Sequence, residues 1–142
     1  MHRSKIIFEF KINSAAVGKL MLAFQKRSEV YLKTGGVHSA ALADESGILA
    51  FREDIGRHNA VDKVIGYALS QNKTFEDKIL ITSGRISSEV VFKVKKCGMP
   101  IIISRAAVTN QAVRLAREMN LTLVGFPRGS GMNVYSAEER II

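Results

Sequence analysis

Ile79-Leu80-Ile81-Thr82-Ser83-Gly84-Arg85 is an apolar run that gives way at once to a polar turn carrying an arginine. The pattern returns twice, where Ile101–Ile103 leads into Ser104-Arg105 and Leu121–Phe126 into Arg128-Gly129. Short continuous apolar runs bounded by turn residues read as strands buried on both faces. The first two turns each open an amphipathic stretch. Ser87–Lys96 carries Val90 and Val94 on one stripe, and Thr109–Asn120 carries Ala112, Leu115, Ala116 and Met119. Strand–helix alternation of this kind predicts parallel strands joined by right-handed crossovers. In such a sheet ligands sit beyond the carboxyl ends of the strands, where helix N-termini present free N–H groups and partial positive charge. Arginines on that rim suit phosphate, since each guanidinium can donate two hydrogen bonds to one anion.

The same reading extends outward. Gly98 and Pro100 stop one helix and Asn120 the next, with Gly98 and Asn120 suited to the left-handed position that ends a helix. Met132–Tyr135 reads as an edge strand. Upstream, residues 13–28 form a helix capped by Asn13 or Ser14, with Val17, Leu20, Met21 and Phe24 inward and Lys26 and Arg27 at its end. Val37–Ala43 and Ile48–Arg52 flank Asp44-Glu45-Ser46-Gly47 as an antiparallel hairpin, although Ser39–Leu42 also suits a helix. Asn59–Ser70 returns to helical period through Val61, Val64, Ile65 and Ala68. The expectation is one α/β domain over residues 1–142, with residues 1–33 leading in, and a mixed sheet with helices on both faces.

Of the 142 residues 46% are hydrophobic, enough for an ordinary globular core. The single cysteine, Cys97, excludes an intrachain disulfide and points to a reducing cytoplasm. His2, Arg3 and Lys5 precede only Ile6-Ile7-Phe8 before Glu9, so no leader is expected, and no apolar run suggests a membrane span. The net charge of +8 is uneven, at +5 over residues 1–33, −3 over 34–77 and +6 over 78–142. Such asymmetry suits an anionic partner. A basic nucleic-acid-binding module is one alternative. Against it stand the dispersal of the basic residues, the lack of tryptophan and the lack of an aromatic RNA-binding strand motif or zinc-finger spacing.

Four segments hold the candidate chemistry. Glu53-Asp54-Ile55-Gly56-Arg57-His58-Asn59-Ala60-Val61-Asp62-Lys63 crowds charge where a strand yields to a helix, as either a solvated loop or a ligand-reading corner. Thr34-Gly35-Gly36-Val37-His38 joins a glycine hinge to a hydroxyl and an imidazole, or is a turn with a structural histidine. Ser83-Gly84-Arg85-Ile86-Ser87-Ser88-Glu89 puts a cation at a helix start, which the helix dipole disfavours unless an anion is bound; Ser87 alone would be a plain cap. Phe126-Pro127-Arg128-Gly129-Ser130-Gly131 is a hairpin loop or a phosphate nest. Zinc is not expected, because there is no CxxC or HExxH and His2, His38 and His58 lack companions at ligand spacing. Cys97 shares the stripe of Val90 and Val94, as a small core residue or a reactive thiol.

Together these segments, with Gly125-Phe126 and Asn133-Val134-Tyr135, resemble the formate dehydrogenase accessory family, the FdhD-type sulfur carriers, over about residues 20–136. The resemblance implies a three-layer α/β/α domain, cytidine-deaminase-like but without the zinc site. It implies a cytoplasmic homodimer that takes sulfur from a cysteine desulfurase. The sulfur would pass to the bis(molybdopterin guanine dinucleotide) molybdenum cofactor of formate dehydrogenase, for which GDP or GTP would be mimics. Phe126, Pro127, Arg128, Gly129, Ser130 and Gly131 would be the cofactor-binding segment. Thr34, Gly35, Gly36, His38, Arg57, His58, Asn59, Ser83, Gly84 and Arg85 would line the same cleft. The family's sulfur-carrying Cys-x-x-Cys loop has no counterpart in these residues, so no catalytic residue is expected here. Val108 also stands where the family usually has proline. The other alternative is a deaminase-like nucleotide enzyme, which would need a metal.

Overall fold

Six strands form one mixed sheet in the order β2-β1-β3-β4-β5-β6. They are β1 (His38–Asp44), β2 (Gly47–Asp54), β3 (Ile79–Thr82), β4 (Ile101–Ser104), β5 (Thr122–Gly125) and β6 (Asn133–Val134). The helices are α1 (Ser14–Tyr31), α2 (Arg57–Ser70), α3 (Ser88–Cys97) and α4 (Asn110–Met119). This computed structural model describes residues 9–31, 36–126 and 131–142. Strands β3, β4 and β5 run parallel, joined through α3 and α4. Strand β1 lies antiparallel to both its neighbours, and β6 antiparallel to β5.

Alternation along the strands divides the core into two layers. Leu80, Ile102 and Leu123 meet Val64 of α2, Val90 and Val94 of α3 and Leu115 of α4. Ile79, Ile81, Ile101, Ile103 and Val124 point the other way, in one cluster with Ile12 and with Leu20, Met21 and Phe24 of α1. The architecture is therefore three-layer α/β/α. The central strands are covered on both faces, which is why they read as unbroken apolar runs rather than alternating ones.

Local chemistry explains the boundaries. Asn13 caps α1, its Oδ1 accepting from Ala15 N at 2.8 Å, and the helix runs on to Tyr31, so Lys26 and Arg27 lie before its last turn. Ser39–Leu42 is strand, because β1 is hydrogen-bonded to β2 on one side and β3 on the other. Helix α2 begins at Arg57, two residues earlier than the periodicity predicts. The Asp54 carboxylate accepts from Gly56 N at 3.0 Å and turns the chain into the helix. Gly98 ends α3 at φ 88°, and Asn120 ends α4 at φ 56°, both left-handed as expected. Thr109 caps α4 by accepting from Ala112 N at 3.1 Å. Ser87 occupies the cap position of α3, but its hydroxyl makes no capping bond.

Candidate functional site

The strand registers build one rim. His38 pairs with Asp54, Ala40 with Thr82, Thr82 with Ser104, Ser104 with Gly125, and Gly125 with Asn133. The carboxyl ends of β2, β3, β4 and β5 thus lie along the same edge as the starts of β1 and β6. Helices α2, α3 and α4 all begin there.

Two serines fasten the loops of this rim. Ser83 N donates to Ser39 O at 3.0 Å while its Oγ accepts from Ser39 N at 2.8 Å, tying the turn after β3 to β1. Ser104 Oγ donates to Gly84 O at 2.9 Å and accepts from Ala106 N at 2.9 Å, tying it to β4. The Ser83 hydroxyl expected in the cleft is therefore engaged in holding the loop.

At the β2–α2 corner, Asp54 organises its neighbours. Its carboxylate accepts from Gly56 N, pairs with Lys63 Nζ at 2.9 Å and receives Asn59 Nδ2 at 3.4 Å. The Gly56 bond first, then Lys63, lowers its pKa to about 2. Asp62 pairs with Lys93 of α3 at 2.8 Å. Asp62 and Lys63 thus tie α2 to its surroundings, while Asn59 reaches Asp54 only through Nδ2, at the long distance of 3.4 Å.

Arg57 is placed differently. Its side chain lies across Gly84, so that a Cβ on that glycine would stand 2.8 Å from Arg57 Cβ and 2.9 Å from Cδ. Arg57 Nε is buried and has no hydrogen-bond partner among the described residues. A buried guanidinium N–H without an acceptor is costly unless something supplies one. His58 follows, half-buried, with Nε2 3.9 Å from Glu89 Oε2. Arg85 is exposed on the turn above β3. At the far end, Phe126 N donates to Ser104 O at 3.0 Å. Gly36 (φ 74°) and Gly131 (φ 72°) hold left-handed backbone that favours glycine. Thr34, Gly35, Pro127, Arg128, Gly129 and Ser130 lie outside the described residues.

The rim therefore brings His38, Arg57, His58, Ser83, Gly84, Arg85 and Phe126 to one edge of the sheet. The role of Asp54 was not legible in the sequence, nor was that of Gly125, on which the Tyr135 ring rests. A glycine inside a strand signals close approach of another group, and Gly125 carries that signal. Cys97 is half-buried beside the helical core; burial pushes its thiol pKa up, Asp62 adds to this, and Lys93 and Lys96 oppose it. No three His, Cys, Asp or Glu side chains among the described residues are grouped to hold a metal ion. No helix among them is long and apolar enough to cross a membrane. An open groove of about 370 Å³ between α3 and α4 is lined by Glu89, Phe92, Arg114, Leu115 and Glu118, among others.

The family model described as FdhD/NarQ matches residues 1–142. This chain belongs to the FdhD/NarQ family. It is 42% identical over 133 residues to the sulfur carrier protein FdhD of Shouchella clausii, covering 94% of this chain and 50% of that protein. It is 49% identical over 123 residues to the sulfur carrier protein FdhD of Staphylococcus aureus strain MRSA252, covering 87% and 46%. A crystal structure from Desulfotalea psychrophila, described provisionally as a formate dehydrogenase accessory protein, superposes with a TM-score of 0.84 at 32% identity, over 94% of this chain and 60% of that one. The chain thus spans about half the length of the curated FdhD/NarQ relatives it matches.

Proposed function

We propose that this chain is the cofactor-binding part of a sulfur-carrier accessory protein for formate dehydrogenase. Its cargo would be the bis(molybdopterin guanine dinucleotide) molybdenum cofactor, held by its phosphates and guanines. The observation that carries this reading is Arg57, laid across Gly84 at the rim with a buried Nε that lacks an acceptor. Phosphate is a fitting acceptor, because guanidinium forks match its oxygens and the start of α2 adds positive potential. Arg85 and Arg128 join the phosphate contacts in this proposal, and His58 and Asn59 position the cofactor or read a base edge.

Sulfur transfer itself is assigned to cysteines other than Cys97, whose half-buried thiol with a raised pKa is a poor nucleophile at neutral pH. A cysteine desulfurase as donor, formate dehydrogenase as recipient, a homodimeric assembly and a cytoplasmic location complete the proposal. Calorimetry with GDP is the direct test: saturable binding is expected, with Arg57→Ala weakening it by ~1.5–3 kcal/mol, the range for hydrogen bonds to charged groups. No heat of binding at millimolar GDP would remove the reading.

A further inference from the structure

We propose that Tyr135, propped on Gly125, is a platform on which a nucleobase stacks at the β5 end of the rim. The inference rests on the nucleotide-binding reading above and deepens it. Tyr135 N donates to Leu123 O at 2.9 Å, so its backbone sits two residues inside the end of β5. The ring then runs outward over Gly125: a Cβ there would stand 2.8 Å from Cε2, 3.3 Å from the hydroxyl and 3.5 Å from Cζ. Gly125 does not have the left-handed backbone of Gly36, Gly47, Gly98 and Gly131. What the position requires of glycine is therefore space for the ring, not conformational freedom.

Hydrogen bonds hold the backbone that carries the ring. Arg117 Nε donates to Tyr135 O at 3.2 Å. The adjoining Ser136 hydroxyl donates to Leu121 O at 2.7 Å and accepts from Leu123 N at 3.0 Å. Tyr135 packs in part against the helical core layer and stays half-exposed, and no hydrogen bond of its hydroxyl is found among the described residues. Gly84 carries Arg57 beyond β3, and Gly125 carries Tyr135 at the end of β5. Measured across the sheet they are two strand spacings, ~10 Å, apart, with Gly84 further out along the strand direction. That span suits a nucleotide with its phosphates on the guanidinium and its base on the ring. A purine on an aromatic face needs no fixed hydrogen-bond pattern, so the ring supplies affinity whichever base is bound.

The experiment compares GDP with inorganic pyrophosphate on wild-type chain, Tyr135→Ala, Tyr135→Phe and Gly125→Ala, each checked for an intact thermal transition. Tyr135→Ala is expected to lose about tenfold in GDP affinity, as removal of a base-stacking ring does, with pyrophosphate affinity unchanged. Tyr135→Phe keeps both, because the ring and not the hydroxyl is used. Gly125→Ala, where it folds, reproduces Tyr135→Ala by displacing the ring. GDP affinity unchanged in Tyr135→Ala overturns the platform and leaves the phosphate rim standing, as does a parallel loss of GDP and pyrophosphate. A wild-type chain that binds neither removes the nucleotide reading itself.

Discussion

Arg57 and Gly84 act as one unit. The arginine can cross the β3–α3 turn only because residue 84 has no Cβ, so Gly84→Ala should displace the guanidinium and cost about as much nucleotide affinity as Arg57→Ala. The two changes together should cost no more than one, since sites in contact are not additive. Calorimetry on the double-mutant cycle checks this, and simple additivity would separate the pair. Asp54 makes a second residue-level prediction. Its carboxyl titrates near a pH of about 2 rather than 3.8, because the folded state holds the charged form. The stability it adds is full above 3.8 and is lost as the pH falls toward about 2. A carbon-detected NMR titration of Asp54 reads the midpoint directly, and a value near 3.8 would mean that the corner it organises is not formed. Of these residues, Arg57 and His58 were legible in the sequence, because charge at a strand–helix junction stands out. The pairing of Arg57 with Gly84 was not, since a missing Cβ shows its purpose only when two distant segments meet.

The elements themselves were largely legible. Buried parallel strands are apolar throughout, and the helices between them repeat their apolar residues with helical period and end on Gly98 and Asn120. Two boundaries differ from the periodicity: the Asp54 side chain starts α2 early, and α1 runs on past its basic pair. Helix ends give the prediction at this scale. Gly98→Ala forces a side chain into left-handed backbone and should lower stability by ~1–2 kcal/mol. Thr109→Ala removes a cap bond and should cost ~1 kcal/mol. Urea unfolding of both variants measures these costs, and values near zero would show that α3 and α4 do not depend on their ends.

Across the whole molecule, periodicity could not show that β1 lies between β2 and β3, antiparallel to each. That arrangement is set by long-range pairing, and it is what brings His38 and Asp54 to the rim used by Arg57 and Gly84. Cys97 is also best considered at this scale. Packed among the helices with a raised pKa, it should alkylate slowly with iodoacetamide at neutral pH and faster above pH 9.0. Rapid modification at neutral pH would instead favour the reactive-thiol reading. Whether one edge of the sheet grips a nucleotide can be read residue by residue, by amide chemical-shift mapping during a GDP titration. Shifts are expected to concentrate at His38, Arg57–Asn59, Ser83–Arg85, Phe126 and Tyr135. Shifts confined instead to the groove between α3 and α4, around Phe92 and Arg114, would contradict a nucleotide site on that edge.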